Sequence, residues 1–550
     1  MAEEYILILG AGLMQKPALE AAKELGFKTL VVDANPKALC VPYADKFENI
    51  DLKDKEKIAE LALSLKNELK AIFTVGTDFS ANVAFVAQKC GLPSHEYKAC
   101  LNASDKILMR ECFKKHKIPS PNFKSIERTQ IANYLTGGLL EKIDFPKVVK
   151  PVDNMGARGC RLIRNKKEFL LATEDAIRNS KTSRAILEDY MEGPEFSIDA
   201  LVYKNTFTVT GFADRHIYFP PYFIELGHTL PSLCDEKIKN ELINTFANAV
   251  HSLGLTQGCA KADIKYTKNG AMVGEIAARL SGGYMSGWTY PYSSGLNLTK
   301  EALKISLGKE PDDLISKRIE LNIKNEFYKI YEVKSFQTSA ERAFISIPGI
   351  VYKIYGIENA QNQPFVKNVL LRVKKGDKVN FPRNNVEKCG NIISLASKSD
   401  LAISSAQNAV SSIIIRLRAN NLQTQNFLSG QSLPSEDGFP YSAFDFSEDE
   451  KKLILGMAVE IRKIKKNESV SKKILSYADD WNVLNKNELI FERKDFNHRS
   501  IFKSLELFDK ISPDHPELDA VEFCQAMFRG GLQGMLYLSD CISVGRKSKF

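Results

Sequence analysis

From Tyr5 to about Pro93 short apolar runs alternate with amphipathic stretches. YILILG, TLVVD and AIFTV read as strands, and the segments from about Pro17 to Leu25, Lys55 to Leu69 and Phe79 to Cys90 read as helices. Strands and helices in strict alternation predict a parallel sheet with crossover helices. A second α/β region with glycine-bearing hairpins runs to about Gly308. Mostly strands follow from Leu321 to about Leu417, with a helix through SDLAISSAQNAVSSIIIRL. Residues 421–442 are polar and aperiodic, the pattern of a linker. The tail beyond them is helical: Ser447 and Glu450 form a capping box ahead of Leu453, Ile454, Met457 and Ile461 at helical spacing. Helices of this kind cannot bury their apolar faces alone, so Phe523, Met527, Leu532 and Leu536 are expected to be buried, against the chain's own body or a second subunit.

Composition narrows the class. With 44% hydrophobic and 26% charged residues the chain is globular. Its net charge of +9, from 76 basic and 67 acidic residues in mixed order, fits a solvated surface, so no nucleic-acid partner is expected. MAEEYILILG lacks the basic start of a signal peptide, and no apolar run approaches membrane-spanning length. The ten cysteines stand singly, which points to a reduced, cytoplasmic setting with no membrane partner.

Gly10-x-Gly12 after the first strand, with Asp33 ending the next, invites a dinucleotide reading. Gln15 takes the place of the third glycine and Lys16-Pro17 follows, so a tight turn alone accounts for both glycines. Gly76-Thr77-Asp78 ends another strand at the sheet edge where open α/β folds bind ligands.

Four segments between Asn102 and Arg279 carry residues suited to phosphate chemistry. SDKILMRECFKKHKIPSP opens a helix near Ser104 and places Lys106 in its first turn. FPKVVKP is a strand ending at Lys150, followed by a loop with Gly156, Ala157, Arg158 and Gly159. Glycines let backbone N–H groups approach phosphate oxygens while the lysine adds charge; a plain hairpin loop is the alternative. ILEDYMEGPEFSIDAL sets Glu188, Tyr190 and Glu195 around a Gly-Pro turn, which could equally be an exposed acidic hairpin. KADIKYTKNGAMVGEIAARLSGG puts Asp263 and Glu275 on two strands joined at Asn269-Gly270, where paired carboxylates can hold Mg²⁺; Arg279 follows with a fork suited to a carboxylate or acyl phosphate. Both acids share a face if the loop is Lys268-Asn269-Gly270, with Thr267 facing Ala271 and Asp263 facing Glu275; this three-residue loop is the expectation.

The order of these segments resembles the ATP-grasp superfamily. The resemblance implies a pre-ATP-grasp α/β domain at 1–100, an ATP-grasp domain of two α+β subdomains at 101–308 with a lid over about 125–200, a β-rich lobe at 309–420, a linker at 421–442 and a helical extension at 443–550. It implies that Lys106, Lys150 and the glycine loop hold ATP phosphates, that the backbone from Glu188 to Tyr190 lines the adenine, and that Glu195 accepts the ribose hydroxyls. Asp263 and Glu275 would be ligands to Mg²⁺ or Mn²⁺; many relatives add an asparagine where this chain has Ala277. PPYFIELGHTLPS is similar to the substrate region of amino-acid ligases. That similarity assigns Glu225 and His228 to substrate, although His228 could equally be a packed structural histidine; Arg215 is a weaker candidate for a carboxylate contact. SAERAFISIPG and KKGDKVNFPRNNVEKCGNII resemble the C-terminal lobe of ligases with a biotin-carboxylase-like layout, so about three quarters of the chain is covered and the tail is not.

The implied reaction is ATP-dependent joining of a small carboxylate to an amine through an acyl phosphate, catalysed with Arg279 and Lys150, to give a dipeptide or similar amide, in a chain that could form a homodimer. Two other readings stand beside it: a carboxylase that activates bicarbonate, and a nucleotide-binding regulator without turnover.

Overall fold

In a computed structural model of the chain, residues 3–65, 67–131, 134, 137–430, 443–480 and 490–545 are described. They divide into two compact units. The first comprises Met1–Ile217, His228–Ala340 and Leu395–Ser399; the second comprises Tyr218–Gly227, Glu341–Ser394 and Asp400–Phe550.

The first unit opens with the expected parallel sheet. Strands β1 (Tyr5–Leu9), β2 (Lys28–Val32), β3 (Lys46–Glu48) and β4 (Leu69–Phe73) lie in the order β3-β2-β1-β4. Apolar side chains on both faces of β1 are wholly buried, as a sheet covered on both sides requires. The helix from Lys55 ends at Ser64, short of the expected Leu69, because Leu69 opens β4. Gln15 occupies the Gly-x-Gly turn. Its Oε1 accepts from the Gly12 amide at 2.8 Å, its Nε2 donates to the Val75 carbonyl, and a Cβ on Gly10 would meet it at 3.1 Å. Asp33 is also used internally, accepting from the Ala11 amide at 2.8 Å.

Two further sheets follow, built mainly from antiparallel pairs. The smaller has the order β5-β8-β6-β7, from β5 (Phe123–Glu127), β6 (Lys147–Pro151), β7 (Arg161–Ile163) and β8 (Arg184–Asp189), with the helix Lys166–Asn179 packed on it. The larger contains β9 (Glu195–Tyr203), β10 (Thr206–Tyr218), β12 (Gly258–Thr267) and β13 (Gly270–Ala277), in the order β13-β12-β9-β10; β11 (Ile224–Leu230) lies between β10 and β12 in the chain. Alternation divides this sheet. Phe196, Ile198, Ala262 and Ile264 meet Leu242, Phe246 and Val250 of the helix Glu236–Leu253 in one core. The opposite face carries Glu195, Ser197 and Asp199 of β9 directly across from Lys265, Asp263 and Lys261 of β12.

In the second unit the strand Gly349–Tyr355 pairs with both Lys378–Val379 and Ile414–Leu417, and Val366–Leu371 pairs with Gly390–Ala396. The linker expectation fails over its first part. Leu422–Ser429 is a helix capped by Asn421, with Phe427 and Leu428 buried; only these two apolar residues anchor it, too few to show as a period. Residues 431–442 lie outside the described ones. The Ser447 capping box forms, and Ile454, Met457 and Ile461 are buried. Phe523, Met527, Leu532 and Leu536 are all at most 2% exposed and share a core with Phe344, Phe381 and Ile415 of the same unit. Gln533 binds the Ile347 amide at 3.0 Å and the Ile415 carbonyl at 3.0 Å, so the tail also satisfies this unit's backbone.

Candidate active site

All of the residues around the candidate phosphate and metal positions lie in the first unit. The hairpin β12–β13 reaches the required register by another route than a three-residue loop. Its loop is Lys268-Asn269, with Thr267 opposite Gly270 and Tyr266 opposite Ala271. A shift between Asp263 and Ile264 then inserts Gly274 as a bulge, and Asp263 comes to face Glu275. A Cβ at Gly274 would lie 3.0 Å from the Asp263 carbonyl, which is why the bulge residue is glycine. Its carbonyl accepts from Arg110 at 2.6 Å.

Lys106 follows Asp105, whose carboxylate caps the helix Lys106–Lys115 by accepting from the amides of Ile107 and Leu108. The ammonium of Lys106 donates to the Asn154 carbonyl at 2.8 Å and lies 3.1 Å from Glu275. Lys150, on β6, is 2.8 Å from Glu188. Glu188 is 1% exposed; its other oxygen is held by Arg110 at 2.8 Å, so its carboxylate is engaged inside the protein. Burial raises the Glu188 acid, but Arg110 and Lys150 outweigh it and the net shift is downward. Burial likewise opposes the charge on Lys150, yet Glu188 leaves its ammonium held more firmly than usual. Glu275 is held down to about 2: burial raises it, and Lys106, Lys261 and Lys150 prevail.

Asp263 and Glu195 are joined by Arg215, whose Nη1 lies 2.6 Å from each. Lys261 pairs with the second oxygen of Asp263, and Lys265 lies 3.4 Å from Glu195, 3.2 Å from the Met191 carbonyl and 5.5 Å from the Tyr190 ring centre. The loop holding Gly156, Ala157, Arg158 and Gly159 springs from an anchored base. Asp153 accepts from Ser180 Oγ, the Lys181 and Thr182 amides and Thr182 Oγ1, at 2.8 to 2.9 Å. Gly156, Ala157 and Gly159 have φ of 67°, 60° and 66°, which turns backbone amides along the loop.

Arg279 is buried beside Asp78, with 3.5 Å between Nη2 and Oδ1, and its Nη1 donates to the Leu280 carbonyl at 3.0 Å. Glu225 belongs to the second unit, its amide bound to Asn385 and its carbonyl to Lys388; His228 belongs to the first, 2.8 Å from Thr289 Oγ1. Arg110, Lys261 and Lys265 carry no motif of their own, whereas Asp78 lies in the Gly76-Thr77-Asp78 turn already noted at the sheet edge. Arg110 was nonetheless readable as a charge at apolar helical spacing, and the lysines as cations alternating with Asp263.

Asp263 and Glu275 fit a hard divalent ion. They are cross-strand neighbours, Glu275 is held ionised, and resident cations already neutralise both. Among the described residues no helix is long and apolar enough to cross a membrane.

Residues 103–283 match the ATP-grasp domain family, and residues 343–418 match L-amino acid ligase C-terminal domain 2. The chain is 21% identical over 423 residues to an uncharacterized protein, y4rH, of Sinorhizobium fredii, covering 75% of this chain and 83% of that one. It is 24% identical over 330 residues to carnosine synthase 1 of Gallus gallus, covering 56% of this chain but only 35% of that relative's length. Its fold is that of the L-amino acid ligase from Bacillus licheniformis, with a TM-score of 0.63 and 20% identity over 76% of this chain and 100% of that one. The chain therefore contains an ATP-grasp domain at residues 103–283, followed at 343–418 by a match to a domain of L-amino acid ligases.

Proposed function

We propose that the chain joins an amino-acid carboxylate to an amine, through an acyl phosphate, at the expense of ATP. The observation that carries this reading is the convergence of Lys106, Lys150 and the glycine loop with two facing carboxylates, Asp263 and Glu275. A carboxylate repels nucleophiles, so one of its oxygens attacks the γ-phosphorus of ATP and ADP departs. The amine then attacks the acyl carbon, loses a proton and expels phosphate. Lys106 and Lys150 are the point charges for the phosphates, and the backbone amides of the loop from Gly156 to Gly159 their hydrogen-bond donors. Lys106 already spans the loop base and Glu275, so it would bring nucleotide and metal ligand together. When bound on Asp263 and Glu275, Mg²⁺ supplies positive charge beside the phosphates. Tyr190 and Met191 would border the base, with Glu195 toward the sugar. Arg279 would meet the acyl phosphate, and in the first unit His228 and Arg215 are the candidates for substrate. The similarity to an L-amino acid ligase and a carnosine synthase favours amino acids as substrates. The test is phosphate release from ATP with single amino acids, amino-acid pairs or bicarbonate. Release with pairs, together with an amide product by mass, is expected. Release with bicarbonate alone would identify a carboxylase and overturn the reading, and ATP binding with Mg²⁺ but without stimulated release by any of them would favour a nucleotide-binding regulator.

A further inference from the structure

One buried acid on the site face takes no part in that chemistry. Asp199 of β9 is completely buried, two residues along the same row from Ser197 and four from Glu195, and directly across from Lys261. Its Oδ2 accepts two bonds from a single residue, Ser281: the backbone amide at 3.0 Å and the side-chain hydroxyl at 2.8 Å. Ser281 comes two residues after Arg279, in the turn that leaves β13. Its own carbonyl accepts from Ser286 Oγ at 2.5 Å. The preceding residue, Leu280, forms a parallel bridge with Val75, and its carbonyl receives Arg279 Nη1. The turn is therefore gripped at consecutive residues, and on the sheet side the grip is one carboxylate.

Placing a carboxylate with no solvent exposure at this point is costly, and the two bonds from Ser281 do not offset it: burial pushes the acid up to about 6 against those bonds, Lys261 and Arg279. Its Oδ1 has no hydrogen-bond partner among the described residues. An asparagine could still accept both bonds through its single carbonyl oxygen, but it would lose the charge that faces Lys261 and Arg279. A group that strains the interior in this way calls for a gain elsewhere. Among the described residues its side chain bonds to the turn that follows Arg279 and to no other.

We propose that Asp199 is a positioning residue: by gripping the amide and hydroxyl of Ser281 it fixes the Arg279 turn against β9, so that the guanidinium is pre-set where charge develops on the acyl phosphate. The role of Arg279 rests on the ligase reading above; the grip itself does not. A guanidinium misplaced by about 1 Å costs on the order of a hundredfold in rate, so the effect falls on turnover and not on nucleotide affinity.

The test uses the full chain with Asp199→Ala, which removes the acceptor, and Ser281→Ala as the milder variant that removes only the hydroxyl bond. Backbone hydrogen exchange over 279–283 is followed by mass spectrometry, beside a melting curve. Exchange in that segment should rise in both variants while β9 and β12 stay protected, and the two changes should not add when combined, because they remove the same contact. With the substrates found for the wild type, kcat should fall at least about tenfold in Asp199→Ala while KM for ATP stays within about twofold. Asp199→Glu should not restore the rate. Unchanged exchange in Ser281→Ala and Asp199→Ala overturns the proposal, as does raised exchange with unchanged kcat. If Asp199→Ala does not fold, Ser281→Ala decides alone. A wild type that releases no phosphate with any substrate sinks the ligase reading, and the exchange arm then decides whether Asp199 holds the turn.

Discussion

At the scale of single residues the site is a lattice of opposite charges, and its members differ in what their removal would do. Lys150 touches Glu188, which keeps Arg110 when the lysine is gone. Lys150→Ala should therefore fold, with turnover reduced by more than about a hundredfold, because the lost charge stabilises the transferring phosphate. A folded variant with near-normal ADP release would remove Lys150 from the site. Glu188 is the reverse case. Glu188→Gln leaves Arg110 and Lys150 facing no anion in the interior and should cost about 3–5 kcal/mol of stability. The pH dependence follows from the downward shift of this acid. The folded chain binds fewer protons there than the unfolded one, so the stabilisation is complete above about pH 4.5, the ordinary value, and is lost as pH falls through the lower folded value. Denaturant melts should thus show the gap between wild type and Glu188→Gln widest at neutral pH and narrower below about pH 4. A gap independent of pH would mean that packing, and not charge, is what the glutamate contributes.

Elements decide whether those residues meet, and here the sequence was only partly legible. The order of strands, lysines and acids could be read because each obeys a local period. The register of β12 on β13 could not, because a bulge has no period: one glycine in the strand does what an extra loop residue was expected to do. The inward turn of Glu188 was hidden for a similar reason, since its partner Arg110 lies 78 positions away. Two predictions belong at this scale. Asp153→Ala removes four hydrogen bonds that root the glycine loop and should raise KM for ATP about tenfold with little change in melting temperature. An unchanged KM would show that the loop is rooted elsewhere. Gly193 separates Glu188 from Glu195 with φ of 136°, and a Cβ there would lie 2.1 Å from the Tyr266 carbonyl. Gly193→Ala should therefore lower stability by about 1–3 kcal/mol and weaken nucleotide binding, as titration calorimetry would read. Retention of both would mean that β9 can slide against β12 without loss.

The whole molecule sets the limit on what can be cut away. The tail closes the same core as Phe344, Phe381 and Ile415, and each of its large apolar side chains contributes about 1.5–3 kcal/mol by burial. A chain ending near Ser435 should then aggregate or change its oligomeric size in gel filtration, and a truncated form that stays monodisperse with an unchanged melting temperature would show the tail to be dispensable. The sequence predicted this burial but not its location, since amphipathic spacing says that a face must be covered and not by what. The second unit is drawn from three separate stretches of chain, and the first of them, Tyr218–Gly227, brings Tyr222, Ile224 and Leu226 into a core otherwise supplied from Glu341 onward. During synthesis these three side chains leave the ribosome well before the residues from Glu341 onward that share their core, and the helix Ala520–Ser543 joins that core later still. A translating ribosome therefore carries an apolar trio whose cover is delivered piecemeal and completed only when that helix arrives. Stops placed between Glu341 and Ala520 should accordingly yield chaperone-bound or degraded fragments.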